Sequence, residues 1–545
     1  MPGAWTNEAP FCLASFRVLP GSADFIGGHM LQTNQLSIFR KSTGQALLEN
    51  FTFALNPGER IAVIGEEGNG KSTLLKLLYD PSLAEPYAEW QGDIRREGKL
   101  GYLFQELSEA DRRLTAYEYL SHWGVWGVAD AGELAQTAGV LGLPVELAYA
   151  DQSVGTLSGG EKVKLQLLRI LAHQPDVLLL DEPTNDIDIE TLEWMERFLL
   201  SCRLPVLYIS HDETLLERTA TGIIHIEQLR SKTECRHTIA RVPYRVYVDD
   251  RLRGITHQTQ MARKEKQEYD AQMDRYRQIY ERVHHDQNAI SRGNPAGGRL
   301  LKKKMHAVKS MGRRFEREKQ DMTQKPVTED AILLSLPEVS LPGGKEVLRF
   351  GLPELSVGGI VLARDVCLSV TGPEHVGIIG RNGAGKTTLL RAVADALQQR
   401  GDIRALYMPQ DYVSLLPPES TPLDYLAPSG AKEDVTRART YMGSMRYTRE
   451  EMVRPVATLS GGQKAKLFFA KMALGGYDVL ILDEPTRNFS ALSGPVVRAA
   501  LAEFGGAIIS VSHDRKYLSE VCDTLYRLTP SGLVPEPSGN HTEVT

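Results

Sequence analysis

The stretch Ile61–Thr73, IAVIGEEGNGKST, runs from an apolar, strand-like segment into a glycine-rich turn and ends in Lys-Ser-Thr. A second stretch, Val376–Thr388, VGIIGRNGAGKTT, repeats it. Each follows the phosphate-binding P-loop pattern, with Gly65, Gly70, Lys71 and Ser72 in the first and Gly380, Gly385, Lys386 and Thr387 in the second. The glycines let backbone N–H groups turn inward around phosphate oxygens, the following helix adds the partial positive charge of its N-terminus, and the lysine neutralises the β- and γ-phosphates. Nucleotide contacts are therefore expected from Gly65, Gly68, Asn69, Gly70, Lys71, Ser72 and Thr73. In the second stretch they are expected from Gly380, Asn382, Gly383, Gly385, Lys386, Thr387 and Thr388. ATP and Mg2+ are the implied cofactors, with Ser72 and Thr387 as metal ligands.

Downstream of each P-loop an apolar run ends in Asp-Glu: DVLLLDEPT places Asp181 and Glu182, and DVLILDEPT places Asp483 and Glu484. A buried strand makes the carboxylates' position rigid. Asp181 and Asp483 suit a Mg2+ shell, while Glu182 and Glu484 are placed to polarise an attacking water as general bases. The same ordered string of motifs thus occurs twice, so the chain is a tandem duplication. Apolar strand segments alternating with helical ones imply α/β layers around a largely parallel sheet.

Copy one spans residues 30–246 and copy two residues 330–545, with a segment at 247–329 between them. Residues 1–29 precede the repeat and are expected to be a flexible extension, or Met30 is the true initiator. The intervening segment reads as an antiparallel helical hairpin. Tyr269, Met273, Tyr276, Tyr280 and Val283 recur at spacings of four and three, and Leu301, Met305, Val308 and Phe315 answer in the same rhythm with Gly312 at the remaining seam position. Gly293, Asn294, Pro295, Ala296, Gly297 and Gly298 are expected to break both helices and form the turn.

The 545 residues are enough for two to four domains. Hydrophobic residues at 42% and charged residues at 24% fit folded globular domains, and no run approaches the roughly 18 apolar residues of a membrane span. A fused transporter is excluded on that ground. The start lacks a basic region followed by an apolar core, so a cytoplasmic location is expected. Five cysteines without CxxC spacing indicate neither a disulfide framework nor a metal cluster. Formal net charge is -6, yet residues 251–325 carry 19 Lys and Arg against 9 Asp and Glu. Any polyanion contact should be made there.

TLSGGEK at Thr156–Lys162 and TLSGGQK at Thr458–Lys464 resemble the signature of ABC ATPases, Gln105 and Gln410 its Q-loop glutamine, and His211 and His513 its switch histidine. The resemblance implies that each signature binds the γ-phosphate of a nucleotide held by the opposite P-loop. One composite site would then join Gly65–Ser72 with Ser460, Gly461 and Gly462, and the other Gly380–Thr387 with Ser158, Gly159 and Gly160. It also implies catalytic roles for His211 and His513 beside Glu182 and Glu484, and places Gln105 and Gln410 with Asp181 and Asp483 at the metal. Copy one reads PTNDIDIE with Asp188 in the D-loop, whereas copy two reads PTRNFSALS with Ser490 there, a departure that puts equal turnover in doubt. Phe39 is the aromatic available to stack on adenine in copy one; copy two offers none.

Two cassettes without a membrane domain, joined by a basic hairpin, resemble the ABC-F family, whose members act on the ribosome. The implied fold is two ABC-type P-loop ATPase domains linked by an α-helical antiparallel coiled coil. The implied arrangement is a monomer whose two cassettes pair intramolecularly. LLKKKMHAVKSMGRRFERE resembles the family's basic second linker helix, which implies contacts to large-subunit rRNA and P-site tRNA from Arg292, Arg299, Lys302, Lys303, Lys304, Lys309, Arg313 and Arg314. Antibiotic protection of the ribosome is the role expected, with housekeeping relief of stalled ribosomes, or the ATPase subunit of a membrane transporter, as alternatives.

Overall fold

The computed structural model describes residues 30–229, 233–289, 295–321, 336–337, 339–411, 415–445, 447–459, 461–487 and 489–536. Arg292 and Ser460, the 1–29 extension, and Gly293 and Asn294 of the expected turn lie outside these residues. Two compact units result: Met1–Tyr244 together with Glu329–Thr545, which holds both copies, and Arg245–Thr328.

Copy one contains β1 (Leu31–Arg40), β2 (Ala46–Leu55), β3 (Arg60–Ile64), β4 (Ala88–Arg96), β5 (Leu100–Leu103), β6 (Val177–Asp181), β7 (Val206–Ile209), β8 (Gly222–Leu229) and β9 (Glu234–Ala240). Copy two contains β10 (Glu346–Val357), β11 (Ile360–Thr371), β12 (His375–Ile379), β13 (Ala405–Met408), β14 (Val479–Asp483), β15 (Ala507–Val511), β16 (Thr524–Thr529) and β17 (Gly532–Glu536). The large sheets have matching orders, β5-β6-β7-β3-β8-β9 and β13-β14-β15-β12-β16-β17. In each, all pairings are parallel except the last. That explains why VLLLD and VLILD are apolar without alternation: helices cover both faces, and all five residues of β6 and of β14 are buried. The smaller sheets differ. Copy one has three antiparallel strands, β2-β1-β4, and copy two has the hairpin β10-β11.

Each P-loop lies between the central strand and a helix, Lys71–Tyr79 after β3 and Lys386–Gln398 after β12. Leu74, Leu75, Leu77 and Leu78 anchor the first helix on its sheet, and Leu389, Leu390, Val393 and Leu397 anchor the second. The phosphate loop is thus fastened at both ends to a buried core.

From Asp181/Asp483 to Glu213/Arg515 the copies run in constant register, so Glu196 corresponds to Arg498 and Glu213 to Arg515. These positions meet across the two copies. Arg498 grips Glu213 with two bonds of 2.7 and 3.2 Å, and Arg515 donates to Glu196 and, at 3.3 Å, to Asp212. All four side chains are nearly sealed from solvent, with exposures of 4% to 8%. Pairing copy one with copy two therefore joins acid to base at both contacts. Pairing like with like would bury two carboxylates or two guanidinium groups against each other.

The hairpin unit is two helices, Tyr244–Ala289 and Pro295–Asp321. Val283, Met305 and Val308 are buried with Tyr276 and Tyr280 packed on them, and Phe315 meets Tyr276 edge-on at 5.9 Å. A Cβ on Gly312 would sit 2.6 Å from the Tyr276 hydroxyl, so the seam glycine makes room for that ring. One expectation is corrected: residues 295–298 belong to the second helix and not to the turn. Proline fits a first helical position, where its missing N–H has no acceptor to lose and its φ is already helical.

Candidate nucleotide sites at the two P-loops

In both loops the backbone takes the shape that only glycine tolerates. Gly65 and Gly380 have φ of 146° and 156°, and a Cβ on Gly65 would fall 2.2 Å from the Ile226 carbonyl oxygen. Lys71 Nζ donates to the Gly65 and Glu66 carbonyls at 2.7 and 3.0 Å, and Lys386 Nζ to those of Gly380 and Arg381 at the same distances. Asn69 ties its loop to Ile226 through Nδ2 at 2.9 Å. Both lysines are buried in their loops.

The Asp-Glu pairs arrive at the ends of β6 and β14. Ser72 Oγ donates to Asp181 Oδ1 at 2.9 Å, and Tyr102 donates to Oδ2 at 2.7 Å. Asp483 Oδ2 is buried with no hydrogen bond among the described residues. Burial raises both aspartates above the ordinary carboxylate range. Hard oxygens from one hydroxyl and one buried carboxylate fit Mg2+, which takes few protein ligands and fills the remainder of its octahedron with phosphate oxygens and water. Thr387 is hydrogen-bonded to Asp483, matching Ser72 with Asp181.

Glu182 and Glu484 share a left-handed backbone, φ 49° and 54°. Their surroundings differ. Glu182 accepts from Gln105 at 3.0 Å, from Asn185, and faces His211 Nε2 at 3.3 Å. Burial would raise its pKa, but the hydrogen bonds from His211 and Asn185 and the charges of His211 and Lys71 outweigh it and hold the carboxyl at about 2. Glu484 accepts the His513 backbone N–H at 3.2 Å, with His513 Nε2 3.7 Å away. Burial, reinforced by the Asp483 charge, pushes it up to about 8. Burial and the Lys386 charge push His513 down to about 3. Gln105 thus lies on the glutamate, while Gln410 lines a cavity of about 620 Å³ at the second P-loop with Lys386, Thr387, Glu484 and His513.

The signatures lie against the opposite P-loops. Ser158 caps the helix Gly159–Ala172 in a reciprocal box with Glu161, and a Cβ on Gly159 would lie 3.5 Å from Asn382 Nδ2. Asn382 Nδ2 donates to the Asp186 carbonyl at 2.6 Å, its N–H approaches Asp188 at 3.4 Å, and Arg381 pairs with Glu190 at 3.2 Å. On the other side Glu67 accepts the backbone N–H of Gly462, at the start of the helix Gly461–Gly475. Glu66 accepts from the Ser490 and Ser493 hydroxyls. Burial opposes its charge, but Lys466, these hydroxyls and Lys71 bring its pKa below the ordinary range.

Ser490 was legible as a departure from Asp188, but its pairing with Glu66 was not. Glu66 and Glu67 were legible as an acidic pair inside a phosphate loop, where Arg381 and Asn382 stand in copy two. Copy two, which offers no aromatic, has the aliphatic Val357, Ile360 and Leu362 lining the second cavity, with Val357 and Ile360 exposed. Phe39 lies in β1, opposite Ala46.

Residues 48–185 and 363–487 match the protein family described as ABC transporter. The ATP-binding protein YdiF of Bacillus subtilis is 28% identical over 92% of this chain and 80% of its own length. ABC transporter F family member 5 of Arabidopsis thaliana is 25% identical over 93% of this chain and 76% of its own length. Among solved structures, the archaeal ribosome recycling factor aABCE1, in complex with the archaeal ribosomal stalk protein aP1, shares the fold with a TM-score of 0.58 at 16% identity, covering 92% of this chain and 90% of that one. No described helix is long and apolar enough to cross a membrane. The chain thus carries two segments that match the ABC family, one in each copy, and is similar along most of its length to a member of the F family.

Proposed function

We infer that the chain hydrolyses ATP at two composite sites and uses their closure to work on the ribosome. Site one joins Gly65–Ser72, Asp181, Glu182 and His211 with Gly461 and Gly462 of the other copy, and Ser460 between Leu459 and Gly461. Site two joins Gly380–Thr387, Asp483, Glu484 and His513 with Ser158, Gly159 and Gly160. The contacts of Glu67 with Gly462 and of Asn382 with Asp186 support this arrangement, since they bring each signature beside the other copy's loop.

In this reading the P-loop amides and lysine hold the phosphates, and Glu182 or Glu484 takes a proton from the attacking water. The switch histidines orient those carboxylates. Mg2+, held by Ser72 with Asp181 or by Thr387 with Asp483, would offset charge on the β- and γ-phosphates. Gln105 and Gln410 complete the path from the metal side to the glutamate. The observation that carries hydrolysis is the convergence of loop serine, aspartate, glutamate and histidine within hydrogen-bond reach in copy one.

The hairpin supports the ribosome as workplace. Its seam is buried while Arg299, Lys302, Lys303, Lys304, Lys309, Arg313 and Arg314 are all exposed, a cationic strip suited to RNA phosphates. Such a strip would enter near the tRNA exit site and point toward the P-site tRNA and the peptidyl-transferase centre. Protection from antibiotics bound there is the role this reading favours. Sedimentation of the Glu182→Gln, Glu484→Gln protein with ribosomes in ATP tests the workplace; recovery with membranes instead would support a transporter subunit. Raised inhibitory concentrations in a susceptible bacterium expressing the chain separate protection from a housekeeping role, for which no rise is expected.

A further inference from the structure

Glu67 puts a carboxylate where the two-site reading puts a γ-phosphate. The N-terminus of the helix Gly461–Gly475 is an anion-binding end, with its first N–H groups unpaired within the helix. The equivalent helix in copy one carries its own acid: Glu161 closes the box on Ser158. Copy two has Gln463 at that position, and its Nε2 is turned to Glu451 at 2.6 Å. The acid at this helix comes instead from the opposite P-loop, as Glu67 bonded to the Gly462 N–H.

A second observation fixes the loop in place. Glu66, the neighbour of Glu67, is held by the hydroxyls of Ser490 and Ser493. An aspartate at 490, as at Asp188 in copy one, would face Glu66 with a like charge. At the other site Asp188 faces the Asn382 N–H, and Arg381 pairs with Glu190. The departures at 66, 67 and 490 are therefore one matched set.

We propose that Glu67 is a resident anion on the signature helix of copy two that makes site one discriminate against nucleoside triphosphate. This rests on the composite-site reading. A γ-phosphate and the Glu67 carboxylate compete for the same backbone N–H groups and repel each other. A diphosphate lacks the competing group. Site one thus favours diphosphate, whereas site two, with neutral Asn382 at the same position, favours triphosphate. Glu67 is exposed as a residue, so solvent screens part of the repulsion.

The full-length protein with Lys386→Ala, which disables the second P-loop, reports site one alone in titrations with fluorescent ADP and ATP. Changing Glu67 to Asn or Gln in that background should tighten ATP by about threefold to tenfold, the scale of one anion at a helix N-terminus. ADP affinity should stay unchanged, which also shows that the variants fold. The reciprocal Asn382→Glu in a Lys71→Ala background should weaken ATP at site two by a similar factor. Equal or absent effects on the two nucleotides in the Glu67 variants overturn the proposal. No nucleotide binding at all in the Lys386→Ala protein would instead sink the composite-site reading beneath it.

Discussion

The two cassettes share their sheet order and their P-loop geometry, yet they face each other with opposite charges. The first P-loop offers Glu66 and Glu67 to hydroxyls and a helix N-terminus. The second P-loop offers Arg381 and Asn382 to Glu190, Asp186 and Asp188. The contacts at Glu196/Arg515 and Arg498/Glu213 are segregated in the same sense, acids in copy one and bases in copy two. Duplication conserved the parts that bind phosphate and let the parts that touch the other copy diverge. A chain that carries both halves needs only one of the three possible pairings, and complementary charge selects it.

The largest effect should come from removing both proposed general bases. Glu182→Gln with Glu484→Gln is expected to lower ATP turnover by about 10²-fold to 10⁴-fold in a phosphate-release assay. The single variants should differ from each other, because Glu182 is held ionised by three partners while Glu484 is pushed up to about 8. Equal losses would erase that contrast.

Reversing a buried charge between the copies comes next. Arg515→Glu would set a carboxylate against Glu196 and Asp212, and a loss of about 3–5 kcal/mol in denaturant unfolding is expected. Arg498→Glu should act similarly through Glu213. A change within 0.5 kcal/mol would mean that the copies are not joined there in solution.

Ser490→Asp restores the residue of copy one but sets it against Glu66. A cost of about 1–2 kcal/mol in thermal stability is expected for the close like charges, relieved by adding Glu66→Arg, the residue type at 381. Failure of that rescue would show that Ser490 and Glu66 are not a pair. The smallest effect belongs to the hairpin, where Val308→Ala should cost about 1 kcal/mol in a circular-dichroism melt, being one methyl pair at a shallow seam.

Much of this was legible in residues alone. The P-loops, the Asp-Glu strand ends and the LSGG turns are local: each needs a fixed backbone shape or a fixed spacing, and glycine, lysine and carboxylate at those spacings leave little else to read. The hairpin seam was legible for the same reason, since helix geometry turns spacing directly into a face, down to Gly312 opposite Tyr276. The turn was misplaced because glycines and proline read as breakers, while a proline at the start of a helix is compatible with it.

What residues determined by themselves is the chemistry offered: two phosphate loops, two buried aspartate-glutamate ends and a cationic arm. What only the tertiary structure decided is which groups meet. Glu67 and Gly462 are 395 positions apart, and Ser490 and Glu66 are 424 apart. No periodicity links such residues, because the contact is set by how two folded surfaces pack and by which charges that packing brings within a few ångströms.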